Sequence, residues 1–193
     1  FLPLRGRKLS RVPTAVWGMV LAHFGVAVSL LGMASEGAFT EERLAAVAPG
    51  DTVEMGDWLI TLDSVAPVAG PNWTAIEARV AARLGEGEAV TLTPQARNFW
   101  SPAQATSESA LLTRWNGQLY AVIGAQTPDG RWQLRVWWKP FVTFIWYGGL
   151  LIALGGVLAI VGRVQVDVKR RKAAELGEER RADLAALTPE PAE

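Results

Sequence analysis

The sequence predicts a membrane protein of mixed α and β class, in which two transmembrane helices flank a small antiparallel β-domain with the form of a sandwich or a barrel. Two apolar runs without Asp, Glu, Lys or Arg, at residues 12–35 and 140–162, predict the helices. Each run is long enough to cross the ~30 Å hydrocarbon core of a bilayer as an α-helix. Residues 36–139 alternate apolar and polar side chains with a period of two, which predicts short strands.

The composition excludes several classes of function. The 193 residues are 50% apolar and carry 19 basic and 19 acidic side chains. The chain therefore has no basic excess for nucleic acid, and we expect no nucleic-acid partner. The absence of cysteine excludes disulfides, thiolate metal sites and cysteine nucleophiles. A single histidine leaves no nucleophile–base pair to assign, so no catalytic residue is predicted.

The charges that flank the apolar runs predict the orientation. Residues 1–11 carry four basic and no acidic side chains, and the second run is followed by Arg163 and a basic cluster at residues 169–172. Basic flanks mark the cytoplasmic side of a membrane. We expect a cytoplasmic basic segment at 1–11, helices at 12–35 and 140–162, a periplasmic β-domain at 36–139 and a cytoplasmic tail at 163–193, in a bacterial inner membrane. The chain begins at Phe1 rather than Met, which indicates a piece of a longer protein or a mature form.

Turn signals divide the β-domain into strands. Asn116-Gly117, between TRW and QLY, is the clearest hairpin signal. Residues 101–109 have little strand character and are predicted to form a loop. The tail from residue 173 mixes charges and is expected to form a short helix that frays.

His23, the only histidine, lies within the first apolar run. An ionisable ring at bilayer depth is costly, so it is expected to face protein, a cofactor or a cavity. One interpretation is an axial ligand to haem iron, because a neutral imidazole nitrogen is a normal haem ligand. Another is a histidine hydrogen-bonded to a neighbouring helix. A proton relay is the weakest, because neither run holds a second ionisable group.

Small residues follow one face of the first predicted helix, at three- and four-residue steps, and would let another helix approach closely. They are Gly18, Ala22, Gly25, Ser29 and Gly32. His23 is expected at the edge of this stripe.

The chain contains nine tryptophans. Five of them are candidates for a docking surface for a flat or extended partner, or alternatively for core and interface anchors: Trp73, Trp100, Trp115, Trp137 and Trp138. An interfacial aromatic belt is predicted at the start of the second helix, from Trp137, Trp138, Trp146 and Tyr147.

Several motifs occur together and in a particular order. They are GMVLAHFGVAVSLLG, APGDTVEMGDWLITLDSV, GPNW at residues 70–73 and KPF at residues 139–141. Between residues 12 and 162 the chain resembles the C-terminal part of the CcmF family of cytochrome c maturation proteins. The resemblance implies an inner-membrane haem lyase that attaches haem to apocytochromes c on the periplasmic side.

The resemblance also implies a cofactor and partners. Members of the CcmF family hold a resident b-type haem through two membrane histidines. The sequence around the second of these histidines matches the sequence around His23, so the resemblance implies that His23 is an axial ligand of haem b. The implied partners are the upstream CcmF portion, the haem chaperone CcmE, apocytochrome-presenting subunits of the CcmH and CcmI type, and the lipid bilayer.

The chain also departs from the family pattern. The family's WWD motif is absent, because Lys139 follows Trp137-Trp138, and the other three family histidines have no counterpart. We therefore expect a part of a haem lyase complex that is inactive alone, contributing a haem ligand and a periplasmic docking domain. The alternative is a non-catalytic, membrane-anchored β-domain scaffold in an assembly complex, with His23 as a packing residue.

Overall fold

A computed structural model describes residues 12–187 and shows one helix, ten strands and a second helix, in that order. Helix α1 spans Thr14–Phe39 and helix α2 spans Phe144–Leu187. The strands are β1 Glu41–Val47, β2 Thr52–Met55, β3 Trp58–Ala69, β4 Trp73–Leu84, β5 Val90–Leu92, β6 Gln95–Trp100, β7 Ala103–Glu108, β8 Ala110–Arg114, β9 Gly117–Gln126 and β10 Trp132–Pro140. Both helices are long and apolar enough to cross a membrane. The predicted fold class is confirmed.

The described chain divides into two compact units. The helical unit contains residues 12–29 and 147–187, and the second unit contains residues 30–146 with all ten strands. The predicted basic segment at 1–11 and the last six residues of the predicted tail lie outside the described residues.

The β-domain consists of two antiparallel sheets. One has the strand order β1-β10-β9-β8, and the other has the order β2-β3-β4-β6-β7 with β5 also paired to β4. Alternate residues of the central strands point inward and form the core, as the period of two predicts. The fully buried side chains include Ile60, Leu62, Val80, Leu119, Ile123, Leu134 and Val136.

The hairpin predicted at Asn116-Gly117 is confirmed, with its turn shifted by one residue. Arg114 pairs with Gly117, so the two loop residues are Trp115 and Asn116. Gly117 begins β9 at a crowded point. A Cβ atom there would lie 2.6 Å from the carbonyl oxygen of Lys139 and 2.8 Å from the ring of Trp138.

The prediction of a loop at residues 101–109 is wrong, because Ala103–Glu108 forms strand β7. This strand pairs with β6 along its whole length and lies at the edge of its sheet. An edge strand needs little apolar surface because one side of it meets solvent. The small and polar residues AQATSE therefore form a strand without the alternation that marks the buried strands.

The helical unit is an antiparallel pair in which glycines of α1 face small residues of α2. A Cβ atom on Gly18 would lie 2.4 Å from the backbone nitrogen of Ala159, and one on Gly25 would lie 2.7 Å from the carbonyl oxygen of Gly148. The predicted small-residue stripe therefore packs against a helix, as expected from close backbone approach.

Helix α2 continues well beyond the apolar run. It is one unbroken helix from Phe144 to Leu187, so the segment from residue 173 is not the short helix that the sequence predicts. The sequence AAELGEERRADLAAL is rich in good helix formers, which explains the continuation.

Candidate functional site

His23 lies on the side of α1 that faces away from α2. Gly18 and Gly25 are buried against α2, whereas His23 is exposed. At 100° per residue, His23 lies about 140° around the helix from the centre of the small-residue stripe. It is therefore further from the contact with α2 than the predicted position at the stripe's edge.

The imidazole of His23 makes one hydrogen bond within its own helix. Its Nδ1 lies 2.8 Å from the carbonyl oxygen of Met19, one turn earlier. A carbonyl oxygen can only accept, so Nδ1 carries the proton and donates it. In this tautomer Nε2 keeps its lone pair, and within residues 12–187 it meets no hydrogen-bond partner. A backbone carbonyl that holds Nδ1–H is the usual way to fix a histidine whose Nε2 binds a metal.

Apolar, exposed side chains surround His23 on α1. Met19 is 41% exposed, Phe24 55% and Val26 45%. Within residues 12–187 the structure shows no group of three or more His, Asp or Glu side chains placed to hold a metal ion. The arrangement fits a flat apolar ligand whose metal takes one nitrogen from the protein, and it does not fit an all-protein metal centre.

The structure separates the five candidate docking tryptophans. Trp138 packs against the core, and its ring centroid lies 5.3 Å from that of the buried Trp58. Trp137 is half-buried on β10, with Arg135 5.0 Å from its ring centroid. Trp137 and Trp138 lie on strand β10, whereas Trp146 and Tyr147, the other members of the predicted aromatic belt, lie in the first turn of α2.

The other three candidates lie at turns. Trp100 and Trp115 are 55% and 71% exposed, and Trp73 is half-buried. Trp73 belongs to the GPNW motif, which builds the β3–β4 turn. The Gly70 N–H donates to the Trp73 carbonyl oxygen over 2.8 Å. The guanidinium of Arg97 lies 4.4 Å from the Trp73 ring centroid, a cation–π contact that the sequence pattern did not reveal.

The KPF motif lies where the chain leaves strand β10 and continues toward helix α2. The Lys139 ammonium lies 2.6 Å from a carboxylate oxygen of Glu36, near the end of α1. Phe141 has a φ of 58°, an uncommon conformation for a bulky residue, which turns the chain out of β10. GPNW and KPF, two of the motifs that carry the resemblance, thus form two different turns of the second unit.

Two open, mainly apolar clefts lie next to each other on the β-domain, and both are lined by Ile76 and Asn98. One, of about 420 Å³, is also lined by Pro67, Val68, Ala69, Thr74 and Ala75. The other, of about 340 Å³, extends past Ala105 and Trp132. We call this combined surface the paired clefts.

Comparison with known families decides the relationship. The model of the CcmF C-terminal beta-sandwich matches residues 38–140, which is more than half of the chain. The chain belongs to this family. The match covers the ten strands, so the sandwich described above is the family's own domain.

Full-length relatives extend the match into both helices. The cytochrome c-type biogenesis protein CcmF of Pseudomonas aeruginosa is 36% identical over 172 residues, which cover 89% of this chain and 26% of that protein. CcmF of Escherichia coli is 35% identical over 158 residues, 81% of this chain and 24% of that protein. CycK of Bradyrhizobium diazoefficiens is 35% identical over 153 residues, 79% of this chain and 23% of that protein. The chain therefore corresponds to a C-terminal portion of CcmF and spans about a quarter of these relatives' length.

A solved structure has the same fold. The structure named Cytochrome c Heme Lyase CcmF superposes with a TM-score of 0.61 at 22% identity, over 74% of this chain and 24% of that one. At this identity the likeness concerns the fold alone. It agrees with an antiparallel β-domain between two apolar helices.

Proposed function

We propose that this chain is the C-terminal part of a cytochrome c haem lyase, in which His23 is an axial ligand of a membrane b-type haem and the β-domain docks partner proteins. The observation that carries the proposal is the hydrogen bonding and position of His23. Its Nδ1–H is held by the Met19 carbonyl, and the residue lies on the side of α1 that faces away from α2, beside exposed apolar side chains. Membership of the CcmF family supplies the haem-related context.

The residues present fit half of a haem site. His23 would hold one face of the iron, and Met19 and Val26 would contact the porphyrin as apolar neighbours. The bound haem would supply one-electron redox chemistry, which is expected to keep the iron of the incoming haem reduced. The second ligand and the groups that hold substrate haem would come from the upstream portion of the longer protein, with which we expect this chain to function.

The helices would cross the bacterial inner membrane, with the β-domain on the periplasmic side and the basic segments in the cytoplasm. The basic cluster at residues 169–172 supports this orientation, because such clusters stay on the cytoplasmic side. In this arrangement the β-domain stands on the side where apocytochromes c are matured.

The paired clefts are the proposed docking face of the β-domain. They are open and mainly apolar, and exposed apolar surface of this kind is typical of a contact with another protein. Partners of the kind that the family implies, a haem chaperone and apocytochrome-presenting subunits, are the proposed occupants. The alternative function, a scaffold without haem, keeps this docking face and treats His23 as a packing residue.

A crossed pair of variants tests both halves of the proposal. The protein is purified in detergent together with its upstream portion, and both the reduced visible spectrum and the co-purifying partners are recorded. His23→Ala should abolish the b-type spectrum and leave partner binding intact. Ala105→Arg places a charge in the paired clefts and should weaken partner binding while the spectrum stays unchanged.

Matched controls separate these effects from general damage. Val157→Ala removes methyl groups from an exposed position of α2 that has no role in the proposed haem site, and should keep the spectrum. Ala46→Arg places the same charge on an exposed alanine of β1, outside the paired clefts, and should keep partner binding. An unchanged spectrum in His23→Ala would favour the scaffold. Unchanged partner binding in Ala105→Arg would remove the paired clefts from the proposal.

A further inference from the structure

The tip of the β8–β9 hairpin exposes a tryptophan at the end of the β-domain where the chain passes into α2. Trp115 is 71% exposed, although most of its large ring is apolar. Its neighbour Arg114 is also exposed, and the guanidinium lies 5.8 Å from the ring centroid of the buried Trp58. Tryptophan beside a basic residue is typical of the zone where lipid headgroups meet hydrocarbon, because the ring is apolar at one end and polar at the other.

Two hydrogen bonds tie this loop to the residues just before α2. The hydroxyl of Thr143 donates to the carbonyl oxygen of Trp115 over 2.8 Å, and Thr143 is only 3% exposed. The N–H of Phe141 donates to the carbonyl oxygen of Asn116 over 2.7 Å. Both carbonyls of the two-residue loop are therefore held by the segment that immediately precedes Phe144, the first residue of the helix. The loop lies at the level at which the apolar helix begins.

Other exposed aromatic side chains belong to the same part of the second unit. Phe39, the last residue of α1, is 60% exposed. Phe141 is 38% exposed and Trp146, in the first turn of α2, is 73% exposed. Three of these aromatics lie on the segments that lead into and out of the apolar helices, and Trp115 adds a fourth from a distant part of the sheet.

We propose that the β8–β9 loop is a membrane anchor, in which Trp115 inserts its ring into the headgroup region of the bilayer and Arg114 contacts lipid phosphates. The occupant is lipid because the exposed aromatics are continuous with the ends of two helices that are long and apolar enough to span a membrane. The proposal rests on the spanning role given to the helices under the proposed function. Such an anchor adds a third membrane attachment to the β-domain, besides α1 and α2.

The chain contains no cysteine, so a single reporter can be placed at will. Trp115→Cys carries an environment-sensitive fluorophore in the 193-residue chain, reconstituted in nanodiscs of phosphatidylcholine and phosphatidylglycerol. Quenching is measured with lipids that carry a nitroxide near the headgroup or deep in the acyl chain. We expect strong loss of fluorescence with the shallow quencher and weaker loss with the deep one.

Two matched positions make the result specific. Trp100→Cys replaces another exposed tryptophan, whose backbone N–H donates to the carbonyl oxygen of Asn72 at one end of β4. The β8–β9 loop lies beside Leu84 at the other end of this twelve-residue strand, about 35 Å away at ~3.3 Å per residue. Leu150→Cys, on the exposed face of α2, reports whether the helix is in the bilayer. We expect no lipid quenching at residue 100 and deep quenching at residue 150.

Each outcome decides the proposal. Shallow quenching at residue 115, with none at residue 100, supports the anchor. If residue 150 is quenched and residue 115 is not, the anchor is overturned while the spanning role of α2 stands. A label at residue 115 that is shielded from aqueous iodide but not quenched by lipid lies against protein, and this too overturns the proposal. A lack of quenching at residue 150 would instead contradict the spanning role itself.

Discussion

At Gly117 the packing of the β-domain leaves no space for even one side-chain carbon atom. The residue is buried where β9 begins, and a Cβ atom would lie within 3 Å of the Lys139 carbonyl oxygen and the Trp138 ring. The carbonyl cannot move without breaking the pairing of Gly117 with Pro140, and the ring packs against Trp58. Both neighbours are fixed, so an added methyl group has no space to enter.

Gly117→Ala should therefore lower the free energy of unfolding of the β-domain by about 1–3 kcal/mol, the usual cost of overpacking. Chemical denaturation in detergent, followed by near-ultraviolet circular dichroism of the Trp58–Trp138 contact, measures the change. Gly37→Ala is the matched control, because a Cβ atom on this helical glycine meets nothing within 4 Å. Equal stability of the two variants would mean that the β9–β10 pairing relaxes more easily than its contacts imply.

At the scale of residues, the sequence predicts chemical type better than environment. It singles out His23 because the chain has one histidine and because the surrounding run is apolar. It does not predict that Nδ1 bonds the Met19 carbonyl, since this depends on the rotamer. Likewise, Arg97 and Trp73 meet because β4 and β6 pair in one particular register, which no local pattern contains.

The two long helices pair through glycines that recur every seventh residue. In α2 these are Gly148, Gly155 and Gly162, and each would place a Cβ atom within 2.6 Å of α1 atoms. Gly149 and Gly156 follow immediately in the sequence, and a Cβ atom on either meets nothing within 4 Å. Each double glycine therefore contains one residue that faces α1 and one that does not.

This contrast predicts opposite results for neighbouring substitutions. Gly155→Leu should lower the melting temperature of the helical unit, because its Cβ would lie 2.5 Å from the backbone nitrogen of Ala22. Gly156→Leu should leave it unchanged or raise it, since leucine is the better helix former by up to about 1 kcal/mol. Heating in detergent, followed by far-ultraviolet circular dichroism, compares them. A larger loss for Gly156→Leu would contradict the glycine interface.

At the scale of elements, the sequence predicts those helices, strands and turns that a local pattern marks, such as an apolar run, an alternation of apolar and polar residues or an Asn-Gly turn. Both apolar helices, the alternating strands β3 and β9 and the hairpin between β8 and β9 are confirmed. Strand β7 is missed because an edge strand can be polar on both faces. The length of α2 is missed because a charged segment can form a helix without burying an apolar face.

The molecule as a whole leaves much of its apolar surface uncovered. Phe24, Leu30, Leu31 and Met33 of α1, and Leu150, Val157 and Ile160 of α2, are each more than half exposed. A surface of this kind needs lipid or further protein to cover it. The chain spans about a quarter of the length of its curated relatives, so within a longer protein both lipid and other helices of the same protein could cover this surface.

The proposed orientation places the β-domain and the charged half of α2 on opposite sides of the membrane. Glu88, in the exposed loop between β4 and β5, and Glu178, on the exposed surface of α2, suit single-cysteine labels because both side chains are charged and exposed. In cells whose outer membrane has been permeabilised, a membrane-impermeant maleimide should label Glu88→Cys and leave Glu178→Cys unmodified. Lysis of the inner membrane should make both sites reactive, which controls for local shielding. Labelling of Glu178→Cys before lysis would reverse the proposed topology, and the β-domain would then lie on the side from which apocytochromes c are exported.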